Sequence, residues 1–257
     1  MANHITINEI KQVKNEVIAF LKSRYTAEKI KEYFVFTKDY TTLLKYYGNE
    51  ETLTLPPVIE IHYGCCVNNK SIKHLIIPTN TAVIGSEAFH NCANLESVVL
   101  GYDVRFIYER AFSECVKLRT VQFGDNVKEI LSEAFAECHS LESPKFNNKL
   151  EYIGMYSFLH CLNVTSIDIP NSVKEIARGA FSNHQEMKQG TKLDYKSIPT
   201  KIRVGSGVEK VGDICFSNRR IKDIHFASKP KMNYGAFFDS DFESREQREM
   251  VEKLLNK

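Results

Sequence analysis

Residues Ile84–Gly101 read IGSEAFHNCANLESVVLG, and most of that pattern returns at a fixed step. The core of it, Ala-Phe-x-x-Cys-x-x-Leu, occurs at Ala88-Phe89, Cys92 and Leu95, then at Ala111-Phe112, Cys115 and Leu118. It occurs again at Ala134-Phe135, Cys138 and Leu141, and with substitutions at Ser157-Phe158, Cys161 and Val164. Phe89, Phe112, Phe135 and Phe158 are separated by 23 residues each. A fixed period of this size means a solenoid, in which each unit buries its apolar face only against its neighbours.

The register extends both ways. Counting back from Phe89 reaches Cys66, in a degenerate unit with Ile61, Cys65, Ile72 and Leu75. Counting forward reaches Phe181, whereas the next aromatic, Phe216, stands 35 residues on instead of 23. The surplus falls in the polar stretch Gln185–Pro199, which is expected to loop out of the stack. A last unit holds Ala236-Phe237. Each unit carries two more apolar lines. Leu75/Ile77, Val98/Leu100, Val121/Phe123, Pro144/Phe146, Ile167/Ile169, Ile202/Val204 and Ile224/Phe226 alternate with polar residues, the mark of a short strand with one buried face. Val104/Ile107, Val127/Ile130, Leu150/Ile153, Val173/Ile176 and Val208/Val211 define the opposite side of the coil. The Ala-Phe-x-x-Cys element is expected to be a helical turn between them.

The ends differ from the repeat. Thr6 and Glu9 have the spacing of a capping box, and Ile10, Val13, Val17 and Leu21 follow at helical spacing. A second helix is expected after Thr26, with Ile30, Tyr33 and Phe34 on its apolar face. Residues 1–39 thus read as a helical cap over the exposed end of a solenoid, or alternatively as a partner-binding helical hairpin. Leu43–Tyr47 and Thr52–Leu55, around Gly48-Asn49-Glu50-Glu51, read as an opening β-hairpin over 40–55, ended by Pro56-Pro57. The repeat array then fills 40–239. Residues 240–257 read as a capping helix, with Ser244 and Gln247 as a possible box and Met250/Leu254 and Val251/Leu255 as apolar pairs.

Ile-Gly-x-x-Ala-Phe-x-x-Cys-x-x-Leu-x-x-Val-x-Leu followed by glycine, repeated over several units, resembles the BspA-type (Treponema pallidum-type) leucine-rich repeat. The resemblance covers roughly residues 40–238. It implies an α/β right-handed leucine-rich-repeat solenoid with a parallel sheet on its concave face. It also implies a protein-binding role, since such proteins are often surface adhesins with a leader and anchoring segments. It brings no catalytic motif.

A net charge of +2, with 43% hydrophobic and 26% charged residues, fits a globular chain and gives no bulk attraction to nucleic acid or membrane. No run approaches the roughly 18 apolar residues that span a bilayer. The N-terminal stretch has no basic segment leading into an apolar one, so a cytoplasmic location is expected, with a cell-surface or secreted one as the alternative. The expected function is a non-enzymatic scaffold that binds a protein or peptide partner as a monomer, without nucleic acid or membrane insertion. The alternatives are an adhesin fragment lacking its leader and an unrecognised enzyme. The expected binding strip is the outward strand row Ile76, Val99, Gln122, Lys145, Asp168, Arg203 and His225. It is flanked by His74, Ser97, Thr120, Ser143, Ser166, Lys201 and Asp223.

Other chemistries find little support. The stacked cysteines, with His90, His139 and His160 near them, suggest a metal ladder, but parallel inward side chains do not converge tetrahedrally and no C-x-x-C pair exists. Cysteine as a small buried hydrophobe is the simpler reading, and no metal or cofactor is expected. Gly205-Ser206-Gly207 imitates a dinucleotide fingerprint, but Lys210 stands where the third glycine belongs. There is no P-loop, no G-x-S-x-G and no H-E-x-x-H.

Overall fold

The computed structural model describes residues 6–183 and 198–255. Among them the chain winds as a parallel β-solenoid with three hydrogen-bonded sheets. Sheet I has ten strands: Phe34–Phe36, Thr42–Tyr46, Glu60–Ile61, Val83–Ile84, Phe106–Ile107, Glu129–Ile130, Tyr152–Ile153, Glu175–Ile176, Lys210–Val211 and Lys231–Met232. It carries the Val104/Ile107 type of line. The opposite wall is split. Sheet II holds Thr52–Thr54, His74–Ile76, Ser97–Val99 and Thr120–Gln122. Sheet III holds Ser166–Ile169, Pro199–Val204, Arg220–Phe226 and Asp241–Phe242. The ladders keep one register, so Ile84, Ile107, Ile130, Ile153, Ile176 and Val211 each lie over the next and are fully buried.

The phenylalanines form one continuous column. Rings of Phe89, Phe112, Phe135, Phe158 and Phe181 stack at 5.1, 5.2, 5.2 and 5.1 Å, within 8° of parallel. The step from Phe181 to Phe216 opens to 6.0 Å, at the unit that carries the surplus residues.

The Ala-Phe-x-x-Cys segments are not the expected helical turns. Each has non-glycine residues in the left-handed region, such as Glu87 and Asn91 (φ 55° each), Arg110 (55°) and Glu114 (62°). This conformation is unfavourable for most residues. Its return is a third hydrogen-bonded wall. Glu87, Phe89 and Asn91 donate to Glu109, Ala111 and Ser113 of the next coil at 2.8–2.9 Å, while Ala88 and His90 bond locally. A helix would have turned these donors inward on itself and left the coils unconnected on this side.

The cysteine column has a matching role. Cys115, Cys138 and Cys161 each donate Sγ–H to the carbonyl of the phenylalanine in the preceding coil, at 3.2–3.3 Å, and Cys92 does so to Cys66, the residue in the phenylalanine position there. Arg219 and Ser240 occupy the same position three residues after a phenylalanine. They make the same bond, Nε to the Phe181 carbonyl at 2.6 Å and Oγ to the Phe216 carbonyl at 2.8 Å. The position therefore demands a hydrogen-bond donor, which apolar packing alone does not explain. Cys138→Ser should keep the donor, whereas Cys138→Val should leave the buried Phe112 carbonyl with only the Cys115 N–H at 3.3 Å, at a cost of about 0.5–1.5 kcal/mol. Urea unfolding of the two variants checks this, and a valine variant as stable as the serine one contradicts it.

The expected hairpin over 40–55 is corrected. Thr42–Tyr46 pairs antiparallel with Phe34–Phe36, and Thr52–Thr54 belongs to sheet II. Leu43 and Leu53 are both fully buried and face one core from two walls, so the Gly48–Glu51 stretch turns a coil corner instead of a hairpin. Phe34 leaves the second helix for the same reason. It packs on Tyr25, Phe36 and Tyr46 with ring centroids 5.2–6.0 Å apart, which only an extended Phe34–Phe36 permits. The helices are α1 (Ile7–Arg24), α2 (Ala27–Tyr33) and α3 (Arg245–Leu255). In α1 the capping box of Thr6 and Glu9 is present, and Val17 and Leu21 are buried. The helix expected over 240–257 starts later, because Asp241–Phe242 adds a strand to sheet III first. The expected loop at Gln185–Pro199 falls mainly on 184–197, outside the described residues. Pro199 itself begins a strand.

Gly205 and Gly207 have a structural cause. A Cβ on Gly207 would lie 1.9 Å from the Asn171 carbonyl oxygen of the preceding coil, and one on Gly205 2.6 Å from the Pro170 carbonyl carbon. Close coil-to-coil approach accounts for both glycines.

Candidate functional site: the outward strand strip

Alternation along each short strand sends every second side chain out of the coil, and the shared register aligns these side chains in rows. Ile76, Val99 and Gln122 are in register across sheet II. Asp168, Arg203 and His225 are in register across sheet III. Lys145 lies between the two sheets, outside any strand. All seven are exposed, and Ile76 and Val99, at 38% and 36%, are among the more exposed large apolar residues.

The flanking row gives the strip its hydrogen bonds. His74 Nδ1 and Ser97 Oγ are 2.9 Å apart. Ser166 Oγ donates to Asp168 at 2.7 Å. Arg203 pairs with Asp223, which holds the Asp223 carboxyl below its usual range. Asp223 also accepts a bond from Gln247 of α3 at 2.9 Å, so the C-terminal end of the strip is bordered by that helix. The N-terminal half is apolar and neutral, and the C-terminal half is charged and internally paired.

The single continuous sheet implied by the strand line is interrupted at Ser143-Pro144-Lys145. Pro144 has no N–H to donate and a fixed φ, so a central ladder cannot run through it. Glu142 N–H still bonds the Arg119 carbonyl at 2.9 Å, and the backbone ladder stops there. Ser143 Oγ takes over the next coil, accepting from Thr165 N at 3.2 Å and Ser166 N at 2.8 Å. Over the break lies a depression of about 380 Å³, lined among others by Val99, Val121, Phe123, Pro144 and Lys145. Sequence reasoning placed Pro144 in an apolar line and missed this consequence. The signal was present, since proline is the one member of that line without an N–H.

The histidines near the cysteine column face elsewhere. His139 Nε2 and His160 Nδ1 lie 2.8 and 2.6 Å from the two oxygens of Glu137. Burial pushes the Glu137 carboxyl up, but the hydrogen bonds and charge of the two histidines outweigh it and bring it to about 2. The thiols are buried, and burial raises that of Cys161 to about 12, so it remains a protonated donor. Among the described residues no group of three or more His, Cys, Asp or Glu is arranged to hold a metal ion.

The "BspA type Leucine rich repeat region" matches residues 59–188 and 194–255, in 6 copies. This chain belongs to that family. Among solved structures, a leucine-rich cell surface protein of Faecalibacterium prausnitzii superposes with a TM-score of 0.64 at 28% identity, over 80% of this chain and 56% of that one. The leucine-rich repeat protein of T. pallidum gives 0.63 at 26% identity, over 90% of this chain and 95% of that one. The chain thus spans just over half the length of the F. prausnitzii protein. No curated protein matches it. As a BspA-type repeat protein it shares a fold class built for extended surfaces. No helix among the described residues is long and apolar enough to cross a membrane.

Proposed function

We propose that this BspA-type chain is a non-enzymatic scaffold that binds a protein or peptide partner along the strip from Ile76 to His225. One observation carries the reading. Seven outward side chains from successive coils are exposed, in register within each sheet with Lys145 between the two, and they pass from apolar to charged. A row spaced at about 4.8 Å per strand matches the scale of an extended chain or a partner's strand. Solenoids present such open surfaces because no coil folds back over them.

The test is affinity capture from the source cell's lysate and growth medium with the intact protein as bait. A variant with Lys145→Glu, Asp168→Lys and Arg203→Glu serves as control. A partner retained by the native strip and lost with the variant is the expected result. A partner retained equally by both moves binding off the strip. Capture from the medium, and not the lysate, would favour the second reading, a cell-surface role like that named for the F. prausnitzii relative.

A further inference from the structure

The break at Pro144 leaves Val121 less covered than its counterparts in the other coils. In the strand line, Leu75, Val98, Ile167 and Ile202 are at most 1% exposed. Val121 is only half-buried; Phe123 is half-buried too, as are the other phenylalanines of its line, Phe146 and Phe226, whereas Ile77, Leu100, Ile169 and Val204 are buried. Val121 and Phe123 both reach the depression beside Pro144. The backbone is open at the same place. On one side of Thr120–Gln122, Leu100 N–H bonds the Gln122 carbonyl at 2.9 Å. On the other side, no backbone hydrogen bond joins Val121 or Phe123 to residues 143–146. A depression with an apolar floor at Val121, Phe123 and Pro144 and a polar rim that includes Arg119, Glu142 and Lys145 therefore coincides with an unpaired strand edge.

The charges around the depression are unequal. Arg119 stands between Glu96 and Glu142 in the coil-to-coil column, a neutral or acidic surrounding. Lys145 is exposed at the rim, and among the described residues its ammonium has no ion pair or hydrogen bond. The nearest carboxylate along its row, Asp168, is held by Ser166 Oγ.

We propose that this break is a docking site for an extended peptide segment that carries one apolar anchor residue next to a carboxylate. The anchor side chain fills the depression on Val121, Phe123 and Pro144. The peptide main chain pairs with the free edge at Val121 and Phe123, as in strand addition. The carboxylate meets Lys145. A free carboxylate or a small anion offers only the last of these contacts, and a flat partner surface offers none of the first. The inference rests on the strip being a binding surface and names the chemistry of its central part.

The probe is a set of short acetylated peptides, rich in β-branched residues, with Leu, Phe or Ala fixed at the centre and Asp, Asn or Lys fixed beside it. Binding to the intact protein is read by fluorescence polarisation, and the contact is mapped by the amide shifts of Val121, Phe123 and Lys145. Leu or Phe should exceed Ala by about tenfold, the effect of burying one such side chain. Asp should exceed Lys, and Lys145→Glu should reverse that order. Pro144→Val restores an N–H and an inward apolar side chain, so it should close the edge and abolish binding. Equal binding of the Leu and Ala peptides, no binding by any peptide, or shifts confined to residues away from the break would each overturn the proposal. Should Pro144→Val fail to fold, the anchor preference and amide mapping on the native chain decide the matter alone. A partner captured through the charged strip and unaffected by a folded Pro144→Val protein would sink this inference and leave the scaffold reading standing.

Discussion

Replacing Phe135 by alanine is expected to lower the unfolding free energy by about 3–5 kcal/mol. The ring lies fully buried between Phe112 and Phe158, at 5.2 Å from each, and takes an edge contact from Phe123 at 5.8 Å. Removing it deletes two stacked contacts and leaves a cavity, because the neighbouring coils are held apart by backbone bonds on two walls, the outward strand wall being interrupted at Pro144, and close up only in part. A solenoid draws most of each coil's stability from the coils beside it. A gap in the middle of the column should therefore also loosen the coupling of the two halves. Urea unfolding followed by circular dichroism would show a lower midpoint and a shallower transition. A loss below about 1 kcal/mol would mean that the column contributes little beyond filling space.

Changing Val17 and Leu21 together to alanine is expected to undock α1. Leu21 alone should cost about 2–5 kcal/mol if its site does not collapse. Both side chains are buried, and they are the two that α1 buries fully. Alanine favours helix, so the substitution spares the helix itself and isolates its docking. The remaining ties of α1 are the part-buried Val13 and Phe20 against the core, Lys14 over the Tyr40 ring at 5.3 Å, and a hydrogen bond from Asn80 to Glu16 at 2.7 Å. Loss of docking would uncover apolar side chains at the start of the array, and exposed apolar surface drives association. Size-exclusion chromatography with light scattering should show self-association, together with a lower urea midpoint. A monomer of unchanged midpoint would refute a capping role for α1 and leave the helices free for the partner-binding alternative.

The sequence by itself determined the solenoid. The 23-residue return of Ala-Phe-x-x-Cys-x-x-Leu can be satisfied only by stacking, since no single unit can bury Phe89 or Leu95 alone. The outward row was equally legible, because side-chain alternation in a strand is strictly local. The tertiary structure alone decided what depends on a neighbouring coil. Leu43 and Leu53 look like hairpin partners until Phe34–Phe36 competes for the same edge. The left-handed Glu87 and Asn91 are intelligible only through donors reaching the next coil. Cys138, Arg219 and Ser240 share no side-chain chemistry except the carbonyl they must satisfy. Pro144 signals by its missing N–H that the ladder must break, but only the missing ladder on both sides shows the depression that the break leaves in the wall. The periodic pattern encodes which residues face inward. Hydrogen bonds across some two dozen residues of chain determine how successive coils meet, and no local window of sequence contains both partners.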